Sequence, residues 1–183
     1  MATATASLKL AEKSSYFASF RRLIDRGIAA LDARDAAAAI ECFLAAYDLA
    51  LRFGFGDDVL GGTLLNLAIA HRLAGDHERA VQSIRKGLEL SGLPIAQRAL
   101  LWKELGVLYS ERSNHRQAAF CYIRAYRLAS LSSQDSDLLA QAAGNAVGAY
   151  LHLGAPQKAV RWAVRAAWHA RRAAGWTRQG VAS

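Results

Sequence analysis

Residues 99–130, ALLWKELGVLYSERSNHRQAAFCYIRAYRLAS, hold two runs of helical period joined at Ser113-Asn114. In the first run Trp102, Leu105, Gly106 and Tyr109 recur at three- and four-residue steps; in the second, Ala118, Tyr122 and Ala125 do the same. Each run therefore gathers its apolar residues on one helical face. The mixture of sizes says how the faces meet. Small residues (Gly106, Ala118, Ala125) suit places where two antiparallel backbones approach, and large ones (Trp102, Leu105, Tyr109, Tyr122) fill the gaps between. The pattern then repeats along the chain. Ala118 has counterparts in Ala39, Ala80 and Ala159, at steps of 41, 38 and 41 residues. In the same register Tyr122 matches Phe43, Ile84 and Ala163, and Ala125 matches Ala46, Gly87 and Ala166. Gly106 matches Gly27, Ala68 and Val147, and Tyr109 matches Ala30, His71 and Tyr150.

The signature Trp-x2-Leu-Gly-x2-Tyr followed by Ala and an aromatic at these offsets resembles the tetratricopeptide repeat (TPR) family. The resemblance covers residues 17–172, with the second and third repeats well formed and the outer two weaker, as terminal repeats are. It implies an all-α, right-handed superhelical solenoid of four helix-turn-helix repeats, eight helices in all. The period of 38–41 residues exceeds the family's usual value of about 34. In this it is similar to the longer repeats of kinesin light chains and spindle-orientation adaptors.

Turn and cap residues give the element boundaries. The first A helix is expected over 16–33 and its B helix over 36–53, with Asp35 as N-cap and Gly54 and Gly56 as stops. The second pair is expected over 59–73 and up to 90, turning at Ala74-Gly75-Asp76; Ser91-Gly92-Leu93-Pro94 ends it, with Pro94 opening the third A helix. Ser113-Asn114 and Gly154-Ala155-Pro156 mark the last two turns, and the last helix is expected to reach about residue 173. Residues 1–15 read as a flexible lead-in, 16–174 as one solenoid domain and 175–183 as a flexible basic tail.

With 183 residues, 53% of them hydrophobic, the chain can bury a core of its own. Cys42 and Cys121 occupy equivalent positions two repeats apart, a separation of about 20 Å at usual helix spacings. That is beyond disulfide reach and points to reduced thiols and a cytoplasmic setting. Residues 1–15 lack the apolar segment of a secretory signal, although their Ala/Thr/Ser composition also suits an organellar transit segment. No stretch reads as a transmembrane segment. The net charge of +8 is unevenly spread: six Lys or Arg and no Asp or Glu follow Asp137. One end of the molecule is building a basic surface.

Nothing in the chain reads as a catalytic or cofactor site, and the reading is non-enzymatic. His71, His77, His115, His152 and His169 lack the close spacing of metal ligands, and Gly61-Gly62 lacks the strand and Gly-Lys of a phosphate loop. His77 and His115 read as turn residues at helix starts and His71 as a core histidine.

Two surfaces remain. The resemblance implies that the A helices line a concave groove, into which Arg21, Asp25, Asn66, Ile69, Arg72, Lys103, Glu104, Val107 and Asn145 would point. In the longer-period repeats an asparagine at the place of Asn66 and Asn145 holds an extended peptide, and a side-chain amide offers both a donor and an acceptor for that. The Lys and Asn of chaperone-binding clamps would fall at Ile24/Ile28, Leu65/Ile69, Lys103/Val107 and Gly144/Gly148, and only Lys103 matches. A partly apolar floor suits a mixed peptide or helical segment of a partner protein better than an acidic tail.

The second surface is the last helix. At ~100° per residue, Lys158, Arg161, Arg165, His169 and Arg172 fall within an arc of about 80°, with Trp162, Trp168 and Trp176 in or beside it. Ala159, Ala163, Ala166 and Ala170 form the expected packing face. The Arg/Trp mixture suits an acidic protein, a nucleic acid or anionic membrane, or self-association into a homo-oligomer; a purely solvating cap is the plain alternative.

Overall fold

The computed structural model describes residues 2–132 and 135–179. Among them are eight helices and no strand: α1 (Ala2–Asp32), α2 (Ala36–Arg52), α3 (Asp57–Leu73), α4 (His77–Glu89), α5 (Ile95–Glu111), α6 (His115–Ser132), α7 (Ser136–His152) and α8 (Pro156–Gln179). They form two compact units, Met1–Leu93 and Pro94–Ser183, each made of two helical hairpins. Within each unit every helix packs on the next, and the two A helices (α1 with α3, α5 with α7) also touch.

One turn recurs in all four hairpins. Arg34, Gly75, Ser113 and Gly154 adopt left-handed φ values of 58°, 78°, 57° and 64°. Behind each, the next amide reaches back over the helix end: Asp35 N–H to Ala30 O (2.8 Å), Asp76 to His71 (2.9 Å), Asn114 to Tyr109 (2.8 Å) and Ala155 to Tyr150 (3.0 Å). This is the helix-ending motif that satisfies otherwise orphaned carbonyls. In the first three hairpins the side chain after the left-handed residue then starts the B helix. Asp35 accepts from Ala38 N–H and Asp76 from Arg79 N–H, both at 3.0 Å. Asn114 accepts from Gln117 N–H and donates to the Gln117 side chain.

Packing inside the hairpins follows the alternation of small and large. A Cβ on Gly27 would lie 2.5 Å from the Phe43 ring, and one on Gly106 would lie 2.6 Å from the Tyr122 ring. Glycine at these points lets an aromatic of the B helix lie against the A-helix backbone. In the first unit Phe43 sits with Ala39, Leu67 and Ala70, and Phe20 with Ala46, Ala50 and Leu60. The Gly92 N–H donates to Asp57 Oδ2 (2.7 Å), tying the end of that unit to the start of α3. In the second unit Tyr122 packs with Ala118, Ala119, Ala146 and Ala149, and Ala129 with Ala99, Leu138 and Leu139. Cys42 and Cys121 are buried and unpaired.

Two boundaries differ from expectation. α1 begins at Ala2, so helical backbone runs through most of the stretch assigned to a lead-in. Its Ala-rich composition carries helix propensity without an apolar period to reveal it. α8 continues to Gln179, into the stretch read as a tail; residues 180–183 lie outside the described residues.

Candidate functional site

In the first unit, Arg21 and Asp25 on α1 are exposed, and Asn66, Ile69 and Arg72 on α3 are half-buried. In the second, Lys103 and Val107 on α5 and Asn145 on α7 are half-buried. Lys103 Nζ donates to Gln141 Oε1 (2.8 Å), and Gln141 Nε2 donates to Asp137 Oδ2 (2.9 Å), so α5 and α7 are joined along this face. Asn66 and Asn145 have no side-chain hydrogen bond within the described residues, and their amides are not sealed from solvent. Each therefore keeps its donors and acceptor available on an A helix. Beside Asn145, Gly144 and Gly148 have nothing within 4 Å of where a Cβ would stand.

Glu104 departs from the groove reading. It is only 5% exposed and lies near Tyr122, whose phenol is pushed up to about 12 by burial first, with Glu104 adding to the rise. Its carboxylate belongs to the interior. Position alone could not show this, because the equivalent Asp25 is exposed and Asn66 half-buried.

α8 is turned relative to expectation. Its covered side runs through Ala159, Trp162, Ala166, His169 and Ala173, while Ala163 and Ala170 are exposed. The reason is Tyr126 of α6. Trp162 meets its ring edge-on at 5.1 Å, and the buried His169 Nε2 lies 3.0 Å from its hydroxyl. Burial, then Arg172, lowers the His169 pKa. Two members of the predicted basic face are thus packing residues. Arg161, Arg165 and Arg172 stay exposed, as does Lys158, whose ammonium lies 5.6 Å from the Tyr150 ring centre. Arg165 stacks over Trp162 (5.0 Å) and Arg172 over Trp168 (4.7 Å). The Trp176 side chain lies outside the described residues.

His71 is buried in α3 with its pKa lowered, first by desolvation. His115 and His152 stack at 4.3 Å, a contact their 37-residue separation gave no sign of. Among the described residues no group of three or more His, Cys, Asp or Glu could hold a metal. No helix there is long and apolar enough to cross a membrane. A cleft of about 390 Å³ between α6, α7 and α8, lined by Phe120, Ile123, Tyr150 and Leu153 with Arg116 and Lys158 among its walls, was missed in the sequence. The exposure of Phe120 (57%) and Leu153 (41%) distinguishes it from ordinary core.

Four hairpins with one turn in one register define the class: an all-α protein of helix-turn-helix repeats. Residues 62–92, about a sixth of the chain, match the tetratricopeptide repeat model. No curated protein matches it. Among solved structures it is similar to BtubC (BKLC) from P. vanneervenii, with TM-score 0.67 and 25% identity over 76% of this chain and 58% of that one. It is also similar to a chain of the APC/C hetero-tetramer Cut9–Hcn1, with TM-score 0.51 and 18% identity over 86% and 37%. The MamA protein matches with TM-score 0.53 and 16% identity over 86% of this chain and 95% of its own. The last two likenesses are of fold alone. The chain spans little more than half of BtubC and about a third of the Cut9–Hcn1 chain.

Proposed function

We propose that this tetratricopeptide-repeat scaffold is a non-catalytic adaptor that binds a peptide or helical segment of a partner protein along its A-helix faces. The observation that carries the reading is the pair Asn66 and Asn145, equivalent in the repeat, half-buried and unbonded. Both amides are open to solvent, and a peptide backbone offers the donor and acceptor that would replace water on them. α8 supplies a second, basic contact. A nucleic acid there would stack its bases on open aromatic faces, whereas Trp162 packs on Tyr126 with Arg165 over it, and Arg172 lies over one face of Trp168. A cytoplasmic setting accords with two buried, unpaired thiols.

The test is affinity purification from nuclease-treated source lysate, comparing wild type with the Asn66→Ala/Asn145→Ala variant. A specific protein held by wild type and lost from the variant is the expected result. Equal recovery by both, or material that vanishes with nuclease, would remove the groove from the account.

A further inference from the structure

The repeat register allows α8 to be compared with α6, the B helix one repeat earlier. In α6, Ala119, Tyr122 and Ala129 are 3%, 4% and 0% exposed. They are covered with the help of α7, through Ala146 and Ala149 and through Leu138 and Leu139. Forty-one residues further on stand Val160, Ala163 and Ala170. Val160 is 63% exposed, and Ala163 and Ala170 are exposed too. Val164, the counterpart of half-buried Ile123, is 66% exposed. With Ala167 these residues form a bare apolar stripe about 120° wide at ~100° per residue, on a surface whose counterpart in α6 carries a helix.

The edges of the stripe state the chemistry of what would cover it. Arg161, Arg165 and Arg172 follow one edge and Arg171 lies within it, and no carboxylate occurs after Asp137 to neutralise them. Arg165 and Arg172 rest on tryptophan rings.

We infer that the outer face of α8 is the docking surface for an amphipathic helix of a partner protein, apolar along one stripe and acidic along its edge, seated on α8 as α7 is on α6. The inference deepens the second contact of the adaptor reading and rests on α8 being a protein-binding surface. Two copies of this face would set five cations (Lys158, Arg161, Arg165, Arg171, Arg172) against five, so the face does not pair with itself. A bilayer is also a poor match. Helices that lie in a membrane interface present bulky residues such as Trp, Phe and Leu, whereas this stripe is alanine and valine. Trp162 is turned inward against Tyr126, and the exposed tryptophan beside it, Trp168 (53% exposed), carries Arg172 over its ring. Small side chains suit the close approach of a second helix.

The experiment measures binding of the full chain to a fluorescein-labelled amphipathic helical peptide with a Leu/Ala stripe edged by Glu, beside its isomer edged by Lys. Wild type should bind the Glu peptide at least tenfold more tightly than the Lys peptide. Val164→Asp, at an exposed position the fold tolerates, should weaken the Glu peptide at least tenfold. Arg161→Glu/Arg165→Glu should cut the preference for the Glu peptide at least fivefold, and Asn66→Ala/Asn145→Ala should change neither. Equal binding of both peptides, or no binding of either at tens of micromolar, overturns the inference. So does loss through the asparagine variant alone, which would leave the groove reading standing. Binding of phosphatidylserine vesicles or single-stranded RNA in place of the Glu peptide, or a sedimenting dimer that Val164→Asp dissociates, overturns it as well.

Discussion

Two glycines in the second unit should respond to alanine with opposite signs. Gly106 lies in α5 under the Tyr122 ring, and a Cβ there would stand 2.6, 2.7 and 3.1 Å from three ring carbons. Carbon atoms settle at about 3.5–4.0 Å, so ring and helix must part by nearly an ångström. Tyr122 cannot yield easily, because Ala118, Ala119, Ala146 and Ala149 enclose it. Overpacking of this kind costs about 1–3 kcal/mol, against a helix-propensity gain of about 1 kcal/mol for Gly→Ala. Gly106→Ala should therefore destabilise by up to about 2 kcal/mol. Gly144 in α7 has nothing within 4 Å of its would-be Cβ, so Gly144→Ala should show the propensity term alone, a gain of about 1 kcal/mol. A second arm uses the repeat itself, which pairs Ala68 with Ile84 where the third repeat pairs Gly106 with Tyr122. Tyr122→Ile alone should cost about 2–3 kcal/mol through lost ring contacts and the lost Ser110 hydrogen bond. Combined with Gly106→Ala, it should cost about 1–2 kcal/mol less than the sum, the signature of residues in contact. Urea unfolding followed by far-UV circular dichroism reads all four variants. A Gly106→Ala protein as stable as Gly144→Ala, or strict additivity in the double variant, would refute the packing argument.

Arg34 and Ser113 hold the left-handed conformation that glycine holds at 75 and 154. Replacing either by glycine should raise stability by about 0.5 kcal/mol, the relieved strain exceeding the added chain entropy; thermal melts check this. Desolvation by burial lowers the His71 pKa in the fold. The unfolded chain then binds the extra proton, so stability should fall as pH drops from about 6.5 toward the lowered native value, by at most ~1.4 kcal/mol per pH unit. His71→Tyr, the residue found at this place in the last two repeats, should flatten that slope in urea titrations over the same range. The Cys121 thiol is pushed up to about 12, mainly by burial. It should resist a thiol reagent at pH 8 in the native protein and react on unfolding, as mass spectrometry will show.

The repeat was legible because its turn is local chemistry. Gly75-Asp76 and Ser113-Asn114 announce a helix end and a cap within two residues, and the glycine beneath an aromatic is a size rule that survives in sequence. What failed to show depends on partners in space. Ala163 and Ala170 looked like a packing face because they are small and apolar, yet Trp162 and His169 reach Tyr126, and their size and hydrogen bond turn α8 toward α6. Glu104 sits in the column of Asp25 and Asn66 but is drawn inside beside Tyr122. The early start of α1 was hidden by alanine, which favours helix without marking a face.

The most direct measurement is hydrogen exchange on the chain bound to a captured partner, compared with the free chain. The account predicts that new amide protection will appear on the A helices, strongest around Asn66 in α3 and Asn145 in α7, with α2, α4 and α6 unchanged. Protection confined to the B helices, with α3 and α7 exchanging as in the free chain, would contradict it.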